Sequence, residues 1–123
     1  MSQQTPSSTA KGQDAHHAGS SHFLAQRITA VLLLLLSPWL AISLLQHLPL
    51  DYLAANTWLH DPWQASLLAM WLISAAYHGQ LGIQIVIEDY VSHQVWRYGL
   101  ILINYVVLAL SLLLALLSLI ALQ

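Results

Sequence analysis

At residues 78–91 the sequence reads His-Gly-Gln-Leu-Gly-Ile-Gln-Ile-Val-Ile-Glu-Asp-Tyr-Val. This stretch begins with a histidine inside an apolar run and ends with an acid and a tyrosine where that run stops. On an α-helix, side chains eleven positions apart point in almost the same direction. His78 and Asp89 have this spacing. The stretch therefore predicts one helix face with an imidazole in the apolar region and an acid–tyrosine pair near the water boundary.

The composition around this stretch is that of a membrane protein. Of 123 residues, 58% are hydrophobic and only 7% are charged, whereas soluble domains have about 25% charged residues. Three apolar runs are each long enough to cross a hydrocarbon core, which needs about 20 helical residues. We therefore predict an all-α protein with a membrane anchor domain over residues 22–123. Its three transmembrane helices are expected at about residues 26–47, 63–88 and 97–122.

The same composition excludes several classes of function. The chain has no cysteine, which excludes thiolate catalysis and cysteine-ligated metal centres within it. Its three basic residues form no patch that could hold a nucleic acid. Since the spans leave almost no soluble domain, the chain alone is expected to be non-catalytic. Any reaction of a water-soluble substrate would belong to a partner subunit.

The segments outside the spans predict the orientation. Residues 1–21 are polar and are expected to form a flexible, disordered tail. The connection over residues 48–62 mixes turn residues with aromatics and is expected to be a loop at the membrane interface. Lys11, Arg27 and Arg97 all fall on the other side of the membrane from this loop. The positive-inside rule then makes the N-terminus cytoplasmic and the C-terminus periplasmic.

His78 is the histidine placed well inside a predicted span, and ionisable groups there are usually functional. One interpretation is a neutral histidine that hydrogen-bonds a neighbouring helix. The other is an axial ligand of a haem iron, which the small residues Ser74, Ala75 and Gly82 on the same stripe favour. A six-coordinate b-type haem needs two axial ligands. Because the chain has no second histidine at that depth, the other ligand would come from a partner or a second copy.

Asp89, Tyr90 and Arg27 also allow two interpretations each. An acid beside a phenol can supply a proton and a hydrogen bond to a quinone carbonyl, but such residues also end membrane spans generally. Arg27 could anchor the first span or pair with Asp89. It could equally contact a haem propionate or a quinone oxygen.

Together these residues resemble a known family. The arrangement of His78, Gly82 and Asp89-Tyr90, with Arg27-Ile-Thr-Ala opening the first span, resembles the hydrophobic membrane anchor subunit of bacterial succinate dehydrogenase (complex II), which is the small cytochrome b556-type anchor. The resemblance covers residues 22–123. It implies that His78 is an axial ligand of haem b and that Tyr90 hydrogen-bonds ubiquinone. Asp89 would support the quinone site or its proton supply, and Arg27 would lie near the quinone or the haem propionates.

The resemblance also implies partners and a location. A sister cytochrome b anchor subunit would share the haem, and the pair would hold an iron–sulfur subunit and a flavoprotein subunit at the bacterial inner membrane. Electrons from succinate would reach ubiquinone, which links the tricarboxylic acid cycle to the respiratory chain. Three alternatives stay open: a fumarate reductase anchor, a structural or assembly membrane protein without a redox centre, and a small transporter or proton channel. The last would need more polar residues within the membrane than this chain has.

Overall fold

The computed structural model describes the backbone of residues 6–49 and 51–122, and the side chains of that part from residue 21 onward. Four helices form it: α1 (Pro6–Gln46), α2 (Tyr52–Leu59), α3 (Pro62–Tyr90) and α4 (Gln94–Ala121). The described residues contain no strand. The prediction of an all-α fold is therefore confirmed.

Helix α3 lies in the middle of the fold and packs against both α1 and α4. Two side-chain contacts show how α1 and α3 are paired. Thr29 of α1 contacts His78, and Ser37, further along α1, contacts Trp71, which comes earlier in α3. The two helices therefore run antiparallel. As a consequence, the beginning of the apolar part of α1 and the end of α3 lie at the same end of the molecule.

The inner face of α1 follows a seven-residue spacing. Thr29, Leu36 and Ser43 are all buried, and residues seven apart lie on the same side of a helix. Ser43 accepts a hydrogen bond of 2.8 Å from the indole Nε1 of Trp58. The Trp58 ring stacks on Trp39 of α1 with 6.3 Å between the ring centroids. Through this face α1 contacts α3 at Thr29 and α2 at Ser43.

The prediction of a loop over residues 48–62 is wrong for its central part, which forms helix α2. Asp51 caps this helix, because its carboxylate accepts a hydrogen bond of 2.7 Å from the backbone N–H of Ala54. Trp58 and Leu59 are buried together with Leu119 from the end of α4. Burial of these apolar side chains stabilises the short helix, which by itself would be too short to persist.

Helix α1 begins at Pro6, within the segment of residues 1–21 that was expected to be a flexible, disordered tail, and the flexibility of this segment stays a prediction. Proline suits the first position of a helix, where its missing N–H needs no partner. Extension of an existing helix avoids the cost of nucleation, and the segment contains alanine, lysine and glutamine, which are good helix formers. Residues 1–5 lie outside the described residues.

Two helical segments in the described part of the chain are long and apolar enough to cross a membrane: Ser21–Gln46 within α1, and Gln94–Ala121. Both agree with predicted spans. Helix α3 has 29 residues and exceeds the required length. Its mean hydropathy is lowered by polar side chains, among them His78, Gln80 and Gln84. The described residues therefore contain two candidate membrane spans, and the arrangement of three transmembrane helices stays a prediction.

Candidate functional site

The side chain of His78 lies in a groove between α1 and α3. Two adjoining cavities of about 410 and 540 Å³ share Ala30 and His78 in their walls. One cavity extends towards Phe23 and Arg27, and the other towards Leu34 and Pro38. The groove is open to the surroundings of this chain and lined mainly by apolar side chains.

The ring of His78 is held from one side. Its Nδ1 lies 3.0 Å from the Oγ1 atom of Thr29 on α1, and Thr29 is only 7% exposed. His78 itself is half-buried. Its other ring nitrogen, Nε2, makes no hydrogen bond within the described part of the chain. The site therefore presents an imidazole with one nitrogen anchored and one nitrogen free.

Space beside His78 is left open by glycine. A Cβ atom added at Gly79 or Gly82 would meet no other atom within 4 Å. The helices of this chain therefore do not fill the space next to these residues. Such space can take a flat group or the close approach of another helix, as the spacing of small residues around His78 predicts.

Arg27 lies close to His78 along the groove and lines the same cavity. Its guanidinium carbon is 4.7 Å from the centroid of the Phe23 ring, a distance at which cation and ring attract each other. Because Arg27 precedes Thr29 by two residues, its backbone lies within about 3 Å of the level of His78 along the helix axis. Among the described residues, no ion pair joins Arg27 to Asp89. The structure therefore brings Arg27 and His78 together.

Asp89 and Tyr90 lie apart from this groove, at the last turn of α3. Asp89 follows His78 by eleven positions on the helix, a distance of about 16 Å along the axis. Both side chains are exposed, and Tyr90 is 85% exposed. Neither residue lines the two cavities that contain His78. The predicted site residues therefore form two groups, one in the groove and one at the end of α3.

A second polar stripe of α3 faces α4 and was not recognised in the sequence. The Nε2 atom of Gln80 donates to Oε1 of Gln84 at 2.9 Å, and Nε2 of Gln84 donates to Oε1 of Glu88 at 2.8 Å. From α4, Asn104 donates to the backbone oxygen of Gln80 at 3.1 Å, and Tyr105 donates to Gln84 at 3.2 Å. Gln80 is 2% exposed and Gln84 is 8% exposed. The spacing of four residues was the available signal, because it places these side chains on one helix face.

Comparison with known proteins identifies the family. The family model described as the succinate dehydrogenase/fumarate reductase transmembrane subunit matches residues 1–117. The chain belongs to this transmembrane subunit family.

Individual relatives agree with this result. The succinate dehydrogenase hydrophobic membrane anchor subunit of Rickettsia conorii is 36% identical over 95 residues, which cover 76% of this chain and 75% of the relative. The subunit of the same name from Rickettsia bellii is 39% identical over 93 residues, covering 76% of this chain and 74% of the relative. The predicted resemblance to the succinate dehydrogenase membrane anchor subunit is therefore confirmed. No solved structure matches the chain significantly.

The residues of the groove can be compared with the ligands that a metal ion or a haem requires. Within the described residues, no group of three or more histidine, cysteine, aspartate or glutamate side chains could hold a metal. A haem needs only an axial ligand from each side, and neutral imidazole is a common one. Two residues of one cavity are of the types that a haem would need: His78 has an imidazole nitrogen that could bind the iron, and Arg27 has a cation that could pair with a propionate.

Proposed function

We propose that this membrane anchor subunit binds haem b through His78 and ubiquinone through Tyr90. In this proposal the subunit passes electrons from the iron–sulfur subunit of succinate dehydrogenase to quinone, and so links the tricarboxylic acid cycle to the respiratory chain. The observation that carries the proposal is the geometry of His78. One ring nitrogen is anchored on Thr29, and the other is free in an open, apolar groove.

His78 supplies one axial ligand of the haem in this proposal, and a histidine of the sister cytochrome b anchor subunit supplies the other. Haem, when bound, provides a one-electron redox centre within the membrane. The apolar walls around Ala30 and Leu34 keep water away from it. Because Arg27 lines the same cavity as His78 and Tyr90 does not line it, we assign its guanidinium to a haem propionate in preference to the quinone.

Ubiquinone is assigned to the end of α3. There the phenol O–H of Tyr90 donates a hydrogen bond to a quinone carbonyl oxygen. Reduction to quinol also consumes two protons, and Asp89 stands beside Tyr90 with its carboxylate exposed. A carboxylate at the water boundary can take up protons and pass them to the reduced oxygen. Since Tyr90 is 85% exposed, the remaining walls of this site come from the sister and iron–sulfur subunits.

Helix α3 is the third transmembrane helix in this proposal. Its polar side chains Gln80 and Gln84 are buried; Gln84 accepts a hydrogen bond from Tyr105 of α4, and Gln80 donates one to Gln84. They therefore do not face lipid, where unpaired polar groups are costly. With three spans, the distribution of basic residues places the N-terminus in the cytoplasm and the C-terminus in the periplasm of a bacterial inner membrane.

Relatives named as succinate dehydrogenase subunits favour succinate oxidation over the fumarate reductase direction that the family also includes. A purely structural anchor without a redox centre is the remaining alternative. The two differ in whether His78 binds haem.

The experiment compares reduced-minus-oxidised optical spectra of the purified wild-type complex and its His78→Leu variant. We expect the b-type signal to be lost or altered in the variant. His60→Leu is the matched control, because His60 is exposed and its ring hydrogen-bonds the backbone oxygen of Asn56 within its own part of the chain. An unchanged spectrum in His78→Leu would overturn the haem assignment.

A further inference from the structure

Thr29 lies at the junction of three polar atoms beside His78. Its Oγ1 atom is 2.9 Å from the backbone oxygen of Ala25, 3.0 Å from that of Gln26 and 3.0 Å from Nδ1 of His78. The first two contacts lie within α1, and the third crosses to α3. Thr29 is 7% exposed, so water does not compete for these contacts. A single buried hydroxyl therefore connects the histidine to the backbone of another helix.

The protons of this cluster can be assigned from its geometry. A hydroxyl has one proton to donate and two lone pairs that can accept. The proton of Thr29 goes to a carbonyl oxygen of its own helix, Ala25 or Gln26. A lone pair of Oγ1 is then directed to His78, whose Nδ1 must carry a hydrogen to complete the contact. In a neutral imidazole with its hydrogen on Nδ1, the lone pair is on Nε2.

The opposite arrangement would disable the ring as a ligand. If the hydroxyl donated to Nδ1, the hydrogen of His78 would be on Nε2. That nitrogen could not bind a metal, and its N–H would point into a mainly apolar groove. A polar hydrogen without an acceptor in such surroundings is costly. The intrahelical carbonyls of α1 let Thr29 satisfy its own proton and accept from His78 at the same time.

We infer that Thr29 is a positioning residue for His78, which holds the ring in the tautomer whose Nε2 binds haem iron. This inference rests on the proposed function and adds a role that no other residue of the described groove performs. When an imidazole binds a metal through one nitrogen, the N–H of its other nitrogen usually donates a hydrogen bond to a neighbouring acceptor. This hydrogen bond fixes the orientation of the ring and makes the imidazole a more basic ligand. A more basic imidazole ligand favours the ferric state of the iron and lowers the midpoint potential of the haem.

The test uses Thr29→Val and Thr29→Ser in the assembled complex. Valine keeps the shape of threonine without its hydroxyl, and serine keeps the hydroxyl. We expect Thr29→Val to weaken haem retention about 10- to 100-fold and to raise the midpoint potential of the remaining haem. Thr29→Ser should restore both towards the wild-type values. Haem content per complex and a redox titration of the b-type absorbance measure these effects, and succinate oxidation by an artificial acceptor reports assembly.

Two outcomes would overturn the inference, and a comparison with His78→Leu separates its failure from that of the haem assignment. Wild-type haem content and potential in Thr29→Val would show that the hydroxyl has no role. A serine variant as defective as the valine variant would assign the effect to packing. If His78→Leu abolished the haem signal while Thr29→Val left it unchanged, the positioning role would fail and the haem assignment would stand. Should valine prevent assembly, Thr29→Ala carries the test with the same expectations.

Discussion

Tyr105 on α4 donates its hydroxyl proton to the side-chain oxygen of Gln84 on α3, with 3.2 Å between the two oxygens. The same oxygen of Gln84 accepts from Gln80, and the amide nitrogen of Gln84 donates to Glu88. Gln84 is therefore the central residue of the polar stripe between α3 and α4. Gln84 is 8% exposed and its partner Gln80 is 2% exposed, so water cannot replace the acceptor of Gln80 when Gln84 is removed.

Replacement of Gln84 should weaken the packing of α3 against α4. Gln84→Leu leaves Gln80 and Tyr105 without their acceptor, and hydrogen bonds between membrane helices contribute about 0.6–1.7 kcal/mol. We expect the stability of the complex in an SDS titration to fall by about 1–2 kcal/mol. Ile83→Leu, at an exposed apolar position of the same helix, should be neutral. Tyr105→Phe should cost less in the Gln84→Leu background than alone, and equal costs would show that the two side chains do not interact.

This stripe also shows what the sequence could and could not predict. The three long helices follow from apolar runs of sufficient length, and the His78 stripe follows from steps of three and four residues. The contacts between Gln84 and Tyr105 depend on the rotation of α3 relative to α4, which the sequence of a single chain does not specify. Helix α2 was missed because its stability comes from Trp58 packing on Trp39, a contact between distant parts of the chain. The proximity of Arg27 to His78 likewise depends on how the antiparallel helices α1 and α3 are aligned along their axes.

The position of Arg27 in the same cavity as His78 predicts an effect on the midpoint potential of the haem. A guanidinium near the haem disfavours the more positive, ferric state, so its removal should lower the midpoint potential. For Arg27→Gln we expect a decrease on the order of 30–60 mV, while Arg27→Lys, which keeps the charge, should shift it less. A redox titration of the b-type absorbance measures both variants. Loss of quinone reduction with an unchanged potential would instead place Arg27 at the quinone.

Trp58 should matter for stability and not for electron transfer. Trp58 is 7% exposed, and its ring stacks on that of Trp39. Its Nε1 donates a hydrogen bond to the hydroxyl oxygen of Ser43. Trp58→Phe removes this donor and leaves a small cavity, so we expect a loss of about 1–3 kcal/mol. Thermal unfolding of the detergent-solubilised complex measures it. Trp63→Phe is the control, because Trp63 is 70% exposed, and similar losses in both variants would contradict the core position of Trp58.

Tyr90 should affect quinone reduction alone. Tyr90→Phe removes the hydroxyl that is proposed to hold a quinone carbonyl, and a hydrogen bond of this kind contributes about 1–2 kcal/mol, or about 5- to 30-fold in rate. We expect ubiquinone reduction by the complex to fall by this factor while succinate oxidation by an artificial acceptor stays constant. Tyr98→Phe, at an exposed position near the start of α4, should leave both activities unchanged. An equal loss of both activities in Tyr90→Phe would indicate failed assembly, and no loss in either would remove Tyr90 from the quinone site.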